Sequence, residues 1–319
     1  MLDPAADPAA VGPVLSAFAP AGSEAASILH LFWIMAIGAV LVWAIVCAIA
    51  VHAMRRHQPA DEGKARWLIL AGGVTIPTLV LGALLAYGLL LMPPLRAEVP
   101  ADALRVDISG EQWWWRVDYR TPEGGVVASA NELRLPVGEP VLLTLSSPDV
   151  IHSLWIPALA GKVDMIPGRD TRLVLRAERK GTYRGVCAEF CGASHAHMRF
   201  LAVAMPRAEF DRWLQVQAAP AQEPVNALAR QGRDAFLGNG CGACHAVRGT
   251  AAIGNMGPDL THVGSRLELA AGTLPNDGES LRRWITAPHQ AKPEALMPAF
   301  DMLAADDVRA IATWLESLQ

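Results

Sequence analysis

The chain has 319 residues, 52% of them hydrophobic, and its mean hydropathy of +0.25 is too high for an ordinary soluble protein. Its formal net charge is −4 at pH 7 and it contains no cluster of basic residues, so nucleic acid is excluded as an expected partner. A chain of this length has room for about two domains.

Two uncharged segments near the N-terminus predict a membrane anchor. Residues 28–53 and 67–92 contain no Asp, Glu, Lys or Arg, and each is long enough to cross the roughly 30 Å of hydrocarbon in a bilayer. Buried core helices are the alternative, but uncharged runs of this length are rare in soluble proteins. We therefore expect a two-helix transmembrane hairpin over residues 27–95, preceded by an external N-terminal leader over residues 1–26.

The charges around these segments predict their orientation. The connection between them contains four basic residues, Arg55, Arg56, Lys64 and Arg66. The leader contains only acidic charges, from Asp3, Asp7 and Glu24. Because basic loops stay in the cytoplasm, both termini should lie outside a bacterial cytoplasmic (inner) membrane. The leader lacks a basic start, so a signal peptide is not evident, although some of it could be trimmed.

The remaining sequence divides into a β-rich part, a linker and a second domain. Short β-type runs separated by turn residues continue from Leu104 to Pro206 and predict an antiparallel sandwich in a domain of residues 96–217, which ends in a short helix. Residues 218–226 read as a Pro/Ala linker. The domain of residues 227–319 ends in an amphipathic helix, with apolar Val308, Ile311, Trp314 and Leu315 at helical spacing.

The second domain contains a motif for covalent haem attachment. Cys241, Cys244 and His245 form CxxCH, in which two thiols bind the haem and the histidine ligates its iron. A haem-free redox dithiol is the alternative. Haem is attached to this motif outside the bacterial cytoplasm, which agrees with the orientation expected from the loop charges.

The sixth iron ligand should come from a methionine later in the chain. Met297 in "LMPAF" is the preferred candidate, because a Met/His pair raises the haem potential into the electron-transfer range. Met256 and Met302 are its competitors, and Met256 adjoins "GPDLTHVG", a loop expected to pack Pro258 near the proximal histidine. We expect His262 to be structural or solvated.

A second cysteine pair lies in "CAEFCGASHAHM", with Cys187, Cys191, His195 and Met198, and His152 precedes it in "SPDVIHSLW". A disulfide would leave the histidines and the methionine unexplained, and zinc rarely takes a thioether. Copper accepts thiolate, imidazole and weak methionine or carbonyl ligands, and two thiolates suit a pair of copper ions. The fifth cysteine, Cys47, lies inside the first apolar segment and is expected to be a packing residue.

These residues resemble the CuA site of subunit II of haem-copper cytochrome c oxidases. The resemblance covers nearly the whole chain, including "EQWWWRVDY", "SPDVIHSLWIP" and "GKVDMIPGR", and the appended CxxCH domain is similar to the caa3-type fusion. It implies a multi-domain fold: the transmembrane hairpin, an all-β cupredoxin-like Greek-key sandwich, and an all-α class I cytochrome c domain.

The resemblance also implies a ligand set for dinuclear copper. Cys187 and Cys191 would bridge the two ions, His152 and His195 would bind one each, and Met198 would be a weak ligand.

Four further positions are interpreted from the same resemblance. Glu189 would supply its carbonyl oxygen to copper, and its side chain would reach a magnesium or manganese site shared with subunit I. Trp113 matches the electron-entry residue of the family, although a strand burying alternate rings is the alternative. His197 matches no ligand. Leu70 stands where the family often has a proton-path glutamate, so this chain is not expected to supply that carboxylate.

The implied function is electron entry into a terminal respiratory oxidase. Electrons would pass from cytochrome c, or another periplasmic donor, through haem c and CuA to subunit I, where oxygen is reduced to water and protons are pumped. Subunit III and the lipid bilayer are further expected partners. Three alternatives compete with this function: a CuA-bearing nitric oxide reductase, a copper-delivery protein and a copper-free quinol oxidase subunit.

Overall fold

A computed structural model describes residue 13 and residues 15–55, 61–91, 100 and 103–319. The chain forms two compact units, one of residues 26–99 and the other of residues 1–25 with 100–319. The acidic leader positions Asp3 and Asp7 and the loop residue Arg56 lie outside the described residues.

Two long apolar helices occupy the positions expected for the membrane anchor. Helix α1 is Ser23–Arg55, and a second helix runs through α2 (Glu62–Leu70), a π-helical turn (Ala71–Thr75) and α3 (Ile76–Leu91). Both are long and apolar enough to cross a membrane. The π-helical turn precedes Pro77, which has no N–H for a regular helical hydrogen bond, and such local widening is a common accommodation.

The residues just before α1 pack against the β-sandwich. The Ala21 N–H donates to the Ala158 carbonyl at 2.6 Å, and the Glu178 N–H donates to the Ala21 carbonyl at 2.7 Å. At Gly22, a Cβ atom would lie 2.2 Å from the Leu159 carbonyl oxygen, so the close backbone approach requires glycine. The end of the expected leader is therefore an edge segment of the sandwich.

The sandwich consists of two five-stranded sheets. In spatial order, the first sheet contains β3 (Val126–Ala130), β2 (Trp114–Arg120), β1 (Leu104–Glu111), β5 (Val141–Ser146) and β8 (Thr171–Leu175). The second contains β4 (Glu132–Pro136), β10 (Arg199–Met205), β9 (Gly181–Cys187), β6 (His152–Trp155) and β7 (Val163–Met165).

The strand pairing departs from a purely antiparallel sandwich. β1 pairs with β5 in parallel, and β4 pairs with β10 in parallel, while the other pairs are antiparallel. Parallel neighbours need long crossover connections, which the Greek-key path supplies. Alternate residues of β2 face inward, and Trp115 and Tyr119 are fully buried. Trp114 faces outward beneath the Arg116 guanidinium, 4.7 Å from its ring centroid.

Helices surround a separate core in the C-terminal part of the chain. After α4 (Arg207–Ala218), residues 219–226 form no helix or strand. The helices that follow are α5 (Ala227–Gly238), α6 (Gly278–Thr286), α7 (Pro288–Ala291) and α8 (Ala305–Ser317), with one short pair of strands, β11 (Glu268–Leu269) and β12 (Leu274–Pro275). Helices α5 and α8 cross closely at Gly232, where a Cβ atom would lie 2.0 Å from the Ala310 carbonyl oxygen.

Candidate metal and haem sites

The first site lies at one end of the second sheet. Cys187 is the last residue of β9 and Arg199 the first of β10, so the connection between two paired strands carries the cysteine, histidine and methionine cluster. The Cys187 N–H donates to the Met198 carbonyl at 3.0 Å and closes the base of this loop. His152 begins β6, which pairs with β9 on its other side. The sheet therefore brings a distant histidine to the loop.

The four strongest candidate ligands form a row. The Cys187 and Cys191 Sγ atoms are 3.8 Å apart, far beyond the roughly 2.05 Å of a disulfide bond. The His152 Nδ1 atom lies 3.8 Å from the Cys187 Sγ atom, and the His195 Nδ1 atom lies 3.6 Å from the Cys191 Sγ atom. Each sulfur thus has the other sulfur and one imidazole beside it.

Each sulfur also has a weak donor nearby. The Glu189 carbonyl oxygen lies 3.2 Å from the Cys187 Sγ atom, and the Met198 Sδ atom lies 3.8 Å from the Cys191 Sγ atom. Met198 is buried, while the Glu189 side chain is exposed. Thiolate, imidazole, thioether and carbonyl together are donors that copper accepts, whereas zinc sites rarely include a thioether. The residues therefore fit a copper pair.

Asp149 is a residue of this site that the sequence analysis missed. Its Oδ1 atom lies 2.9 Å from the His152 Nε2 atom, and its Oδ2 atom accepts the Gln112 N–H at 2.7 Å. Burial acts to raise the pKa of Asp149, but the hydrogen bonds from the backbone of Gln112 and Val150 and from His152 outweigh it and lower the pKa. The carboxylate holds the His152 N–H at Nε2 and leaves the Nδ1 lone pair facing Cys187. In the sequence, the indication of this role was an acidic residue, Asp149, three positions before the candidate ligand His152.

Two side chains from one turn fix the carbonyl of Cys191. The Gln112 Nε2 atom donates to the Cys191 carbonyl at 2.8 Å, and the Trp113 indole N–H donates to it at 2.9 Å. Trp113 is buried, so the expected electron-entry residue touches the ligand loop but exposes little of its ring to solvent. Gly192 follows with φ +113°, and a Cβ atom there would lie 3.1 Å from both side chains.

The two thiols shift each other's pKa in opposite directions. The hydrogen bond from Cys191 holds the pKa of Cys187 well below its usual range, burial opposes this shift, and His152 reinforces it. The same hydrogen bond and burial raise the pKa of Cys191. A metal cation bound by the two sulfurs would displace the thiol protons.

The second site is built around His245. The His245 Nδ1 atom lies 2.8 Å from the Pro258 carbonyl oxygen, which holds that nitrogen as the N–H and leaves Nε2 as a free ligand. Glycine at position 257 allows the backbone to lie close to the His245 imidazole, because a Cβ atom at this position would lie 2.5 Å from the His245 Cε1 atom. Burial lowers the pKa of His245, which keeps the imidazole neutral. Cys241 and Cys244 are free and partly exposed, and their thiols fit covalent haem attachment.

The three candidate methionines differ in burial. Met297 is partly buried and packs against the core of the helical domain, whereas Met256 and Met302 are 75% and 73% exposed. This difference favours Met297 as the sixth ligand. His262 is buried, with its Nδ1 atom 2.7 Å from the Gln319 carbonyl oxygen and its Nε2 atom 3.0 Å from that of Ala219. It holds the linker to the end of the chain, which is a structural role.

Other expected positions lie outside these clusters. His197 is partly buried, and its carbonyl oxygen lies 3.5 Å from the Thr273 Oγ1 atom. Cys47 is on α1 with an exposed side chain. Lys292 is a further buried residue that the sequence analysis missed. Burial lowers the pKa of Lys292 to about 7, and the charge at Cys191 acts in the opposite direction.

Comparison with protein families gives two matches, and each matched range contains one of the two candidate sites. The profile described as cytochrome C oxidase subunit II, periplasmic domain, matches residues 120–205. The profile described as cytochrome c matches residues 229–319. Together with the two apolar helices, these matches confirm the predicted fold: a membrane anchor, a cupredoxin-like sandwich and a helical cytochrome c domain. They also fit a membrane-anchored subunit with an extracellular domain.

Known relatives support the same assignment. The chain is 40% identical over 222 residues to cytochrome c oxidase subunit 2 of Alkalihalophilus pseudofirmus. The aligned region covers 70% of this chain and 63% of that protein. It is 31% identical over 219 residues to alternative cytochrome c oxidase subunit 2 of Bradyrhizobium diazoefficiens. That aligned region covers 58% of this chain and 77% of the relative.

Among solved structures, the chain is similar to the periplasmic domain of subunit II of cytochrome oxidase (CoxB) of Bradyrhizobium japonicum. The identity is 29%, the alignment covers 38% of this chain and 96% of that structure, and the TM-score is 0.35. The assignment rests on the sequence matches, although this chain spans less than two thirds of the Alkalihalophilus relative, at 63%. The sequence matches, the paired cysteines and the CxxCH domain lead to one conclusion: the chain belongs to the cytochrome c oxidase subunit 2 family.

Proposed function

We propose that this chain is the electron-entry subunit of a terminal respiratory oxidase. Its helical domain receives electrons from a cytochrome c or another periplasmic donor, and its sandwich domain passes them to subunit I. There oxygen is reduced to water with coupled proton pumping, so the chain is one part of an oxidoreductase. The proposed domains are residues 27–95, 96–217 and 227–319, and the proposed linker of residues 218–226 lies between the last two; its first residue, Ala218, is the end of α4.

A dinuclear copper centre and a covalently attached haem c would supply the one-electron redox chemistry of these two domains. His152, Cys187, Cys191, His195 and Met198 would hold the copper ions, together with the Glu189 carbonyl. The protein fixes these donors before any electron arrives, because β6, β9 and β10 anchor them to one sheet. Such a preformed set needs little rearrangement between redox states.

In the helical domain, Cys241 and Cys244 would bind the haem covalently, and His245 and Met297 would be the ligands of its iron. The hydrogen bond between His245 and the Pro258 carbonyl supports this role because it orients the imidazole and raises its basicity as a ligand.

The observation that carries the proposal is the matched surroundings of the two sulfurs. Cys187 has His152 and the Glu189 carbonyl beside it, and Cys191 has His195 and Met198. A mononuclear blue copper site needs only one thiolate. Two sulfurs 3.8 Å apart, each with an imidazole and a weak donor beside it, support a site that would hold two copper ions.

We further propose how this chain lies in the assembled oxidase. Subunits I and III would surround the two apolar helices in the bacterial cytoplasmic membrane, with both termini and both redox domains on the periplasmic side. The exposed carboxylate of Glu189 would face subunit I and contribute to a magnesium or manganese site there. The exposure of Phe190, at 75% beside this carboxylate, suits a surface that a partner covers.

Electron paramagnetic resonance of the purified full chain tests the proposal. After loading with copper and oxidation, one electron shared over two copper ions should give a mixed-valence spectrum. Cys191→Ser should abolish that spectrum and leave the c-type haem absorbance intact. Cys47→Ser, which alters the cysteine of α1, is the matched control and should change neither signal. A mononuclear copper spectrum in the unmodified chain would refute the dinuclear site.

A further inference from the structure

The helical domain lies directly against the candidate copper loop. The Ser194 hydroxyl donates to the Pro293 carbonyl, and the Thr273 hydroxyl donates to the His197 carbonyl at 3.5 Å. At the end of the loop, the Arg199 N–H donates to the Ala271 carbonyl at 3.0 Å. The loop that would hold copper therefore makes hydrogen bonds along its length to the domain that would hold haem.

Lys292 lies at the centre of this interface. Its side chain comes from the segment between α7 and Met297, only 3% of the residue is exposed, and its Nζ atom donates to the carbonyl oxygens of Trp113 and Ala270, the latter at 3.2 Å. Among the residues that the structure describes, no carboxylate pairs with Lys292. Burying an amine without a counter-ion is costly, so the hydrogen bonds to the two carbonyl groups must offset that cost, and removal of the amine would leave both carbonyls without this donor.

The rim of the interface contains polar contacts that fix the orientation of the two domains. Arg184 of β9 forms a two-pronged ion pair with Glu268, in which the Nη2 and Oε1 atoms are 2.6 Å apart. Beside it, the Leu267 N–H donates to the Glu132 carboxylate at 3.0 Å. Bidentate pairs of this kind restrict geometry more than a single contact does.

The turn between β11 and β12 adopts an unfavourable backbone in order to make these contacts. Ala270, Ala271 and Gly272 have φ values of 50°, 57° and 77°, and left-handed backbone is unfavourable at the two alanines because the Cβ atom lies too close to the backbone. The Ala270 carbonyl accepts from Lys292, and the Ala271 carbonyl accepts from Arg199. Two carbonyl groups of this turn therefore accept hydrogen bonds at the interface between the domains.

We propose that Lys292 is a positioning residue that holds the haem domain on the copper loop. Electrons then cross between the two sites within one docked arrangement of the chain, without a swing of the domain on its linker. This inference rests on the proposed function for the electron transfer, whereas the docking itself is a property of the polypeptide.

Hydrogen exchange of the full chain in detergent measures the docking directly, without any redox cofactor signal. The amides of Arg199 and Leu267 donate across the interface, so peptides that contain them report whether the domains are in contact. In Lys292→Met, exchange in both peptides should accelerate at least about tenfold, equivalent to about 1.4 kcal/mol. Peptides within α8 should keep their rates. Lys180→Met, an exposed lysine of the sandwich domain, is the matched control.

A second measurement follows electron transfer from haem to copper after flash reduction of the haem. In Lys292→Met the transfer should slow and become dependent on solvent viscosity, because the domain must first find its docked position by diffusion. Unchanged exchange and an unchanged, viscosity-independent rate would overturn the role of Lys292. A chain that never transfers an electron between the sites would refute the proposed function, while the exchange experiment would still decide the docking.

A milder variant guards against misfolding. Lys292→Gln retains a side-chain donor but removes the charge and shortens the side chain, so it disturbs packing less than methionine does. If Lys292→Met does not fold, Lys292→Gln should still show faster exchange in the Arg199 and Leu267 peptides with an unaltered copper spectrum. Wild-type exchange in Lys292→Gln would overturn the inference.

Discussion

Asp149→Ala should weaken copper binding without removing any copper ligand. The carboxylate accepts the backbone N–H groups of Gln112 and Val150 at 2.7 and 2.6 Å, and it orients His152 at 2.9 Å. Loss of a carboxylate behind a ligand histidine typically costs about 10–100-fold in metal affinity. That factor corresponds to about 1.4–2.8 kcal/mol. The metal-free protein should also lose about 1–3 kcal/mol of unfolding free energy, because two backbone donors lose a charged acceptor.

The copper dissociation constant of the full chain, measured by competition with a chelator, tests this reasoning. Asp164→Ala is the matched control, because Asp164 is exposed on the neighbouring strand β7 and should leave the affinity unchanged. Asp149→Asn should give an intermediate loss, since an amide oxygen still accepts one hydrogen bond. If Asp149→Ala bound copper with wild-type affinity and gave the wild-type spectrum, the carboxylate would have no part in holding His152.

Three further changes probe the two domains. Burial raises the pKa of Tyr119 above its usual value of 10.0. Above about pH 10 this tyrosine ionises in the unfolded chain but not in the folded chain, so the free energy of unfolding should fall as the pH rises. Tyr119→Phe should make this fall less steep in alkaline denaturation curves. Gly257→Ala should displace His245 and cost about 1–3 kcal/mol by overpacking, with a lower haem content per chain by absorbance. Met297→Ala should leave haem attached but lower its reduction potential in a redox titration, whereas Met256→Ala should not; an unchanged potential in Met297→Ala would assign the axial position elsewhere.

The sequence predicted the strands with clear β-type runs, such as β2 and β10, but not β6 and β9, which carry His152 and Cys187. β9 reads "GTYRGVC", with two glycines and an arginine that weaken any strand signal, and β6 has only four residues. Strands β6 and β9 pair with each other although β7 and β8 lie between them in the chain. The structure explains Gly185 of β9, where a Cβ atom would lie 2.1 Å from the Phe200 ring. Local pattern contains no information of this kind.

The same limit applies to the site itself. Cys187, Cys191 and Met198 were accessible from sequence because they share one short loop, and the family resemblance supplied His152. Lys292 was not, since one of its two partners, the Trp113 carbonyl, lies in another domain and a single lysine in a polar segment has no distinguishing pattern. Contacts between domains depend on tertiary structure, and only the folded chain reveals them.

The placement of the copper loop between β9 and β10 has a consequence for how such sites change. Every candidate ligand except His152 belongs to one hairpin connection, and that connection begins and ends on backbone that is already paired. The loop is therefore exchangeable: a graft between Cys187 and Met198 could replace most of the copper-ligand set while the sandwich of strands beneath it stays intact. Gain or loss of metal in this family would then need an alteration of a single short segment, with His152 retained as the fixed point.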